Sequence, residues 1–190
     1  TGAPGLMPLG GIGVTMFFVL SGFLITGLLL EEQQATGRVA LGAFYARRAR
    51  RILPALLALI VAVIIASFFL GPWWFEWSDL PPALFFYTNW VEAFSPTAGT
   101  TLGALSITWS LAIEEQFYLI WPILVIALRG RRNVVMLAIV LAVASLLARF
   151  LLAGEPPART YVGSDTAAFA LLIGAVAVGI RLGGGPGRSS

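Results

Sequence analysis

The sequence predicts an all-α protein: a polytopic transmembrane helical bundle of about five spans, with one short re-entrant or interfacial helix. Three observations lead there. Of the 190 residues, 58% are hydrophobic and 11% charged, with mean hydropathy +0.90, whereas soluble domains carry about one quarter charged residues. Apolar runs near the ~20 residues needed to cross a bilayer recur along the chain. The basic residues, all arginine, collect at the ends of these runs, which is the topology signal of a membrane protein.

The first span is expected from about Ile12 to Leu30, and a polar stretch from Glu31 to Arg51 follows, ending in Arg47, Arg48, Arg50 and Arg51. Ile52 to Leu70 is the second span, with Pro54 tolerated in its first turn. Gly71 to Pro82 reads as a loop whose Trp73, Trp74 and Trp77 suit a membrane interface. Ala83 to Phe94 is apolar but too short to cross, which makes it the re-entrant or interfacial piece. After a Gly/Thr/Pro loop from Ser95 to Gly103, Leu105 to Leu128 is the third span, followed by Arg129, Arg131 and Arg132. Val134 to Leu152 is the fourth. A Pro-containing loop, Ala153 to Gly163, leads to a fifth from Thr166 to Ile180, and Gly183 to Ser190 is a glycine-rich tail.

Charge placement agrees with this count. With Arg47 to Arg51 in the cytoplasm, the second span exits, and the third returns to Arg129 to Arg132 only if Ala83 to Phe94 does not cross. Arg181 and Arg188 then also fall inside, as the positive-inside rule requires. The expected setting is the inner (plasma) membrane. No basic stripe interleaved with aromatics points to nucleic acid. With no Cys there are no disulfides and no thiolate metal ligands, and no metal site is expected. With no His the commonest general base is absent from these residues.

The third span holds the most informative residues. Glu114 and Glu115 lie inside an apolar and aromatic run, where an ionised side chain costs ~3 kcal/mol or more and therefore usually serves a function. Ser110, Glu114 and Tyr118 are spaced i, i+4, i+8 and share one helical stripe, whereas Glu115 points about 100° away. These three are the candidate catalytic residues. Such a Glu, with hydroxyl partners, can exchange protons near neutrality; it could instead hold an arginine, or tie helices together as a polar knot.

In the Arg cluster, Arg48 and Arg51 share one helical face and Arg47 with Arg50 the next. Paired guanidiniums grip phosphate bidentately, which makes Arg48, Arg51 and Arg47 the candidate donor-binding residues. Anchoring to anionic headgroups explains the same cluster more simply. Gly10, Gly11, Gly13, Ser21 and Gly22 read as packing positions, and Asp165 as a helix N-cap.

Four ordered segments carry a family resemblance. G-G-I-G-V-T-M-F-F-V-L-S-G-F-L-I-T (Gly10 to Thr26), F-Y-A-R-R-A-R-R-I-L-P (Phe44 to Pro54), T-W-S-L-A-I-E-E-Q-F-Y-L-I-W-P (Thr108 to Pro122) and Y-V-G-S-D-T-A-A-F-A-L-L-I-G-A (Tyr161 to Ala175) together resemble the acyltransferase-3 family. Its members are integral membrane O-acyltransferases, many of which acetylate bacterial surface polysaccharide, lipopolysaccharide or peptidoglycan.

The resemblance implies that Arg48 and Arg51, matching the family's R-x-x-R element, hold phosphates of acyl-coenzyme A on the cytoplasmic side. It implies that Glu114 lies near the reaction centre in the membrane interior. It further implies a histidine in a span preceding the Gly-Gly-Ile-Gly-Val segment, so residues 1–190 are expected to be one partial transmembrane acyltransferase domain, inactive alone. Thr15 stands where many members carry Asp, and Ala167 where many carry Arg.

The expected partners are therefore membrane lipids, acyl-coenzyme A (acetyl-coenzyme A in the first instance) as donor substrate rather than resident cofactor, and an envelope glycan or glycolipid acceptor. The rival expectation is a non-enzymatic carrier or glycolipid-export component using Glu114 as a proton-linked switch. Such folds usually show internal repeats, and none is visible in the sequence.

Overall fold

The computed structural model describes residues 7–95, 102–128 and 130–182. Among them every regular element is helical: α1 (Met7–Thr36), α2 (Leu41–Leu70), α3 (Leu80–Leu84), α4 (Thr88–Phe94), α5 (Trp109–Leu128), α6 (Arg131–Leu151), α7 (Pro157–Val162) and α8 (Ser164–Arg181). Five segments among the described residues are long and apolar enough to cross a membrane: Gly11–Thr36, Leu41–Leu70, Gly103–Leu128, Arg131–Leu151 and Pro157–Arg181. The chain is an all-α, multi-pass membrane protein.

Several boundaries differ from the sequence expectation. The stretch from Glu31 to Arg51 is mostly helix: α1 runs on through Glu31 and Glu32, and α2 starts at Leu41. Ala and Arg are strong helix formers, so the arginines form the N-terminal turns of α2. Pro54 consequently lies inside the helix rather than in its first turn. The apolar piece Ala83 to Phe94 is two short helices, α3 and α4. Phe86 separates them at φ 55°, a left-handed conformation uncommon for a bulky residue.

A 3-10 turn over Gly103–Thr108 leads into α5, and the loop before the last span contains α7. Arg129, Arg188, the residues 96–101 and the tail from Gly183 lie outside the described residues.

Contacts divide the chain into two units. The first contains α1, the C-terminal part of α5, most of α6 and most of α8. Here α1 and α8 meet backbone to backbone: a methyl group at Gly22 would collide with the Leu171 carbonyl, and one at Gly174 with that of Val19. Small residues at helix contacts are the usual means of tight packing in lipid. Polar bonds fix the rest. Trp121 donates its indole N–H to Thr26 Oγ1 at 2.8 Å, and Ser145 Oγ accepts the Phe169 N–H at 3.1 Å.

The second unit contains α2, α3, α4, α7, the 3-10 turns and the N-terminal part of α5. Its apolar core joins Leu56, Ile60 and Val63 of α2 to Phe75, Ala83 and Leu105. Outside the spans, the Asp79 carboxylate accepts the Glu76 N–H at 2.8 Å. Burial nevertheless pushes its pKa above the ordinary carboxylate range, the hydrogen bond from Glu76 opposing.

Candidate active site

The glutamates sit in the N-terminal half of α5, which the second unit surrounds. Glu114 is buried at 6% exposure, among the few charged groups so enclosed; Ser110, one turn earlier, is half-buried. Glu115 projects elsewhere, as the 100° step predicts, and meets Arg48 of α2: the guanidinium Nη1 lies 3.6 Å from Glu115 Oε1. That oxygen is buried and has no hydrogen-bond partner among the described residues. Arg48 also rests 5.8 Å from the centroid of the Phe44 ring, one turn back on its own helix.

This geometry separates the arginines expected to act alike. Arg48 is half-buried and faces Glu115, while Arg47 and Arg51 are exposed. Arg50, also exposed, folds back to hydrogen-bond the Ala46 carbonyl at 3.2 Å. The third member of the catalytic stripe, Tyr118, belongs to the first unit, where its buried hydroxyl hydrogen-bonds Ser21 Oγ. Ser110, Glu114 and Tyr118 thus share a helix, and Tyr118 has its own partner on α1.

A polar network that the sequence did not flag surrounds the other side of α5. Gln116 donates its amide N–H groups to the Phe86 carbonyl at 2.7 Å and to Asn89 Oδ1 at 2.9 Å, and accepts from Ser164 Oγ at 2.5 Å. Asn89 in turn donates to Ser164 Oγ at 2.9 Å and to the Val162 carbonyl at 3.2 Å. Thr108 Oγ1 bonds Thr88 Oγ1 at 3.3 Å. One turn beyond Asn89, Glu92 is 2% exposed. The α3–α4 piece is therefore not merely apolar filler: its Thr88, Asn89 and Glu92 are buried, and Thr88 and Asn89 meet polar partners, as polar groups in a membrane interior usually do. Spacing of Asn89 and Glu92 at i and i+3 inside a short apolar run was the available signal.

Asp165 is the second residue of α8, and its carboxylate takes Arg159 in a two-point ion pair at 2.8 and 2.6 Å. The cation also lies 5.4 Å from the ring centroids of both Trp90 and Phe94. The N-cap expected at Asp165 is thus replaced by a bridge that fastens α7 to α8 and α4.

Chemically, the second unit encloses the acids Asp79, Glu92 and Glu114, pairs Glu115 with Arg48 and Asp165 with Arg159, and contains a set of amide and hydroxyl groups held by each other. An enclosed acid can receive or direct a proton, and a guanidinium can neutralise a phosphate.

Comparison with known proteins identifies the family of the chain. A family model described as an acyltransferase domain matches residues 2–182. The chain is 40% identical over 177 residues to a protein named peptidoglycan O-acetyltransferase OatA from Listeria monocytogenes, covering 87% of this chain and 28% of that protein. It is 35% identical over 191 residues to the putative peptidoglycan O-acetyltransferase YrhL of Bacillus subtilis, covering 87% and 28%. It is also 35% identical over 181 residues to the O-acetyltransferase OatA of Staphylococcus aureus, covering 88% and 29%. The chain therefore spans less than a third of the length of these relatives. No solved structure matches it.

Proposed function

Because the chain belongs to the acyltransferase domain family, we propose that it is part of a membrane O-acyltransferase that moves an acyl group, acetyl in the first instance, from cytoplasmic acyl-coenzyme A to a hydroxyl of a cell-envelope glycan. Relatives named for peptidoglycan O-acetylation make peptidoglycan the leading acceptor. The observation that carries the reading is the enclosed charge on α5: Glu114 buried at 6% exposure, with the adjacent Glu115 set against Arg48 at 3.6 Å.

In this reading the acceptor hydroxyl attacks the thioester carbonyl while its proton passes to a base, the carbon–sulfur bond breaks, and the base returns that proton to the departing sulfur, so that coenzyme A leaves as the thiol. Glu114 works at the reaction centre as proton partner or as the group that orients the base. Ser110, half-buried one turn away, is a hydroxyl that can support the same proton path. Tyr118, held by Ser21, fixes the far end of the stripe. Arg48, with the exposed Arg47 and Arg51, meets the donor's phosphates at the cytoplasmic face; the clusters at Arg47 to Arg51 and Arg129 to Arg132 both lie on that side.

The 190 residues contain no histidine, and the base proposed for the family is a histidine. Turnover is therefore assigned to a longer protein, and this chain alone is inactive. The test sets the chain beside a version extended at its N-terminus, with labelled acetyl-coenzyme A and a peptidoglycan fragment. Acetyl transfer by the extended protein only, and loss of donor binding in Arg48→Ala plus Arg51→Ala, is the expected result. Proton-driven substrate accumulation in vesicles, without acetyl transfer, would instead identify a carrier.

A further inference from the structure

We propose that Trp90, Phe94, Arg159 and Asp165 form a docking subsite for a sugar ring of the acceptor glycan. The inference rests on the reading of the chain as part of an acyltransferase with its arginine clusters in the cytoplasm, and it names where the acceptor strand is held. In that orientation α5, α7 and α8 begin on the outer side, where an envelope glycan lies.

The four side chains brace one another. Trp90 and Phe94, one turn apart on α4, stack with ring centroids 5.7 Å apart and planes inclined by 16°. The Arg159 guanidinium of α7 lies 5.4 Å from both centroids, where cation–π attraction and planar stacking add. Asp165 fixes the same guanidinium by a two-point contact at 2.8 and 2.6 Å. Phe94 is nevertheless 71% exposed, and the Asp165 side chain 39%. An open aromatic ring and an open carboxylate thus stand on one fixed support.

Fixation separates Phe94 from the other exposed aromatics. Phe68, Phe69 and Phe85 are more exposed still, yet among the described residues none of them makes a ring or cation contact. A ring that meets lipid or its interface needs no such bracing. A ring that must receive a ligand gains from it, because less side-chain freedom is lost on binding.

Charge selects the ligand. Arg149 and Arg159 are matched by Glu155 and Asp165 in the same stretch, and Glu92 on α4 is a further acid, so no surplus positive charge is present for a phosphate. Arg149 bonds the Thr160 carbonyl at 2.9 Å, and Arg159, already paired, is the less exposed member of its pair at 14%. The group offered to a ligand is therefore a carboxylate, which repels anionic headgroups and accepts hydrogen bonds from hydroxyl or amide N–H groups. An acyl chain would suit the rings but would strip water from the charges. A pyranose supplies both complements: an apolar C–H face for the ring and donors for the carboxylate.

Position gives the subsite its use. Asn89, the residue before Trp90, accepts from Gln116 of α5 at 2.9 Å, two residues from Glu114. A sugar on Trp90 and Phe94 rests on the element that abuts the glutamate helix, and its binding energy holds the strand while the hydroxyl of another sugar reacts.

The experiment uses the full-length protein in lipid nanodiscs with labelled acetyl-coenzyme A and a soluble peptidoglycan oligosaccharide. It measures acceptor KM and Kd, kcat, and coenzyme A Kd. Phe94→Leu keeps apolar bulk and removes the ring. It should raise acceptor KM and Kd about threefold to tenfold, the range of one aromatic contact, with kcat and coenzyme A Kd within about twofold, as for a lost binding contact. Phe94→Tyr keeps the ring and should match the parent. Phe85→Leu, similarly exposed but outside the subsite, should leave acceptor KM unchanged.

Should Phe94→Leu not fold, Phe94→Met takes its place under the same expectations. An acceptor KM unmoved by loss of the Phe94 ring overturns the subsite alone. So does one moved equally by Phe85→Leu, which would assign both rings to the membrane interface. A parent that transfers no acetyl to the oligosaccharide overturns the acyltransferase reading and the subsite together.

Discussion

Replacing Asn89 with Leu removes three hydrogen bonds at once while keeping the branched shape and the number of side-chain heavy atoms. Asn89 is fully buried. Its amide donates to Ser164 Oγ at 2.9 Å and to the Val162 carbonyl at 3.2 Å, and its carbonyl accepts from Gln116 at 2.9 Å. Side-chain hydrogen bonds inside membrane proteins average about 0.6 kcal/mol each, whereas those in soluble cores contribute about 1 kcal/mol. Three of them therefore predict a loss of about 2–3 kcal/mol. Gln116 keeps the Phe86 carbonyl and Ser164, which limits the penalty for groups left unpaired.

The assay is reversible unfolding in mixed micelles, with the exposed Ser78→Ala as a control expected within about 0.5 kcal/mol of the parent. An Asn89→Leu protein as stable as that control would refute the idea that this network holds α4 and α7 against the glutamate helix.

Further outcomes are expected in the same assay. Gly22→Ala should destabilise by about 1–3 kcal/mol, the range for overpacking, because its new methyl has only the Leu171 carbonyl to occupy; a neutral result would contradict the backbone contact of α1 with α8. Trp121→Phe keeps most of the ring but loses the 2.8 Å bond to Thr26, for an expected cost of about 1 kcal/mol, and a Thr26→Val background should abolish most of that difference.

Asp79→Asn should flatten the acid side of the stability profile. Burial raises the Asp79 pKa in the folded protein, so as pH climbs the unfolded chain ionises first. Stability is then fullest below the unfolded value and falls as pH approaches the folded one. A slope that persists in Asp79→Asn would assign it to another group.

The membrane class and the five spans were legible because they rest on summed hydropathy and on arginine placement, both properties of long stretches. Boundaries were less so. The Arg-rich segment before Ile52 looks polar as composition, yet Ala and Arg favour helix, and α2 therefore begins at Leu41 and encloses Pro54. The break at Phe86 could not be read at all: a phenylalanine at φ 55° is imposed by tertiary contacts, among them the Gln116 bond to its carbonyl.

Within the site, helical periodicity correctly separated Glu114 from Glu115. It could not reveal that Arg48 and Arg51, on one face by spacing, differ in burial, because that depends on what packs against α2. Asn89, Ser164 and Gln116 are far apart in sequence and meet only through the fold. Periodicity therefore had no means of joining them.

The central claim is that the acid enclosed in α5 serves acyl transfer. Its most direct test is single-turnover transfer of labelled acetyl from acetyl-coenzyme A to a peptidoglycan fragment by the N-terminally extended protein carrying Glu114→Gln. The account predicts a rate reduced at least about 100-fold, the contribution typical of a proton-transfer group, with coenzyme A binding and unfolding stability close to the parent's. Transfer at the parental rate would contradict it.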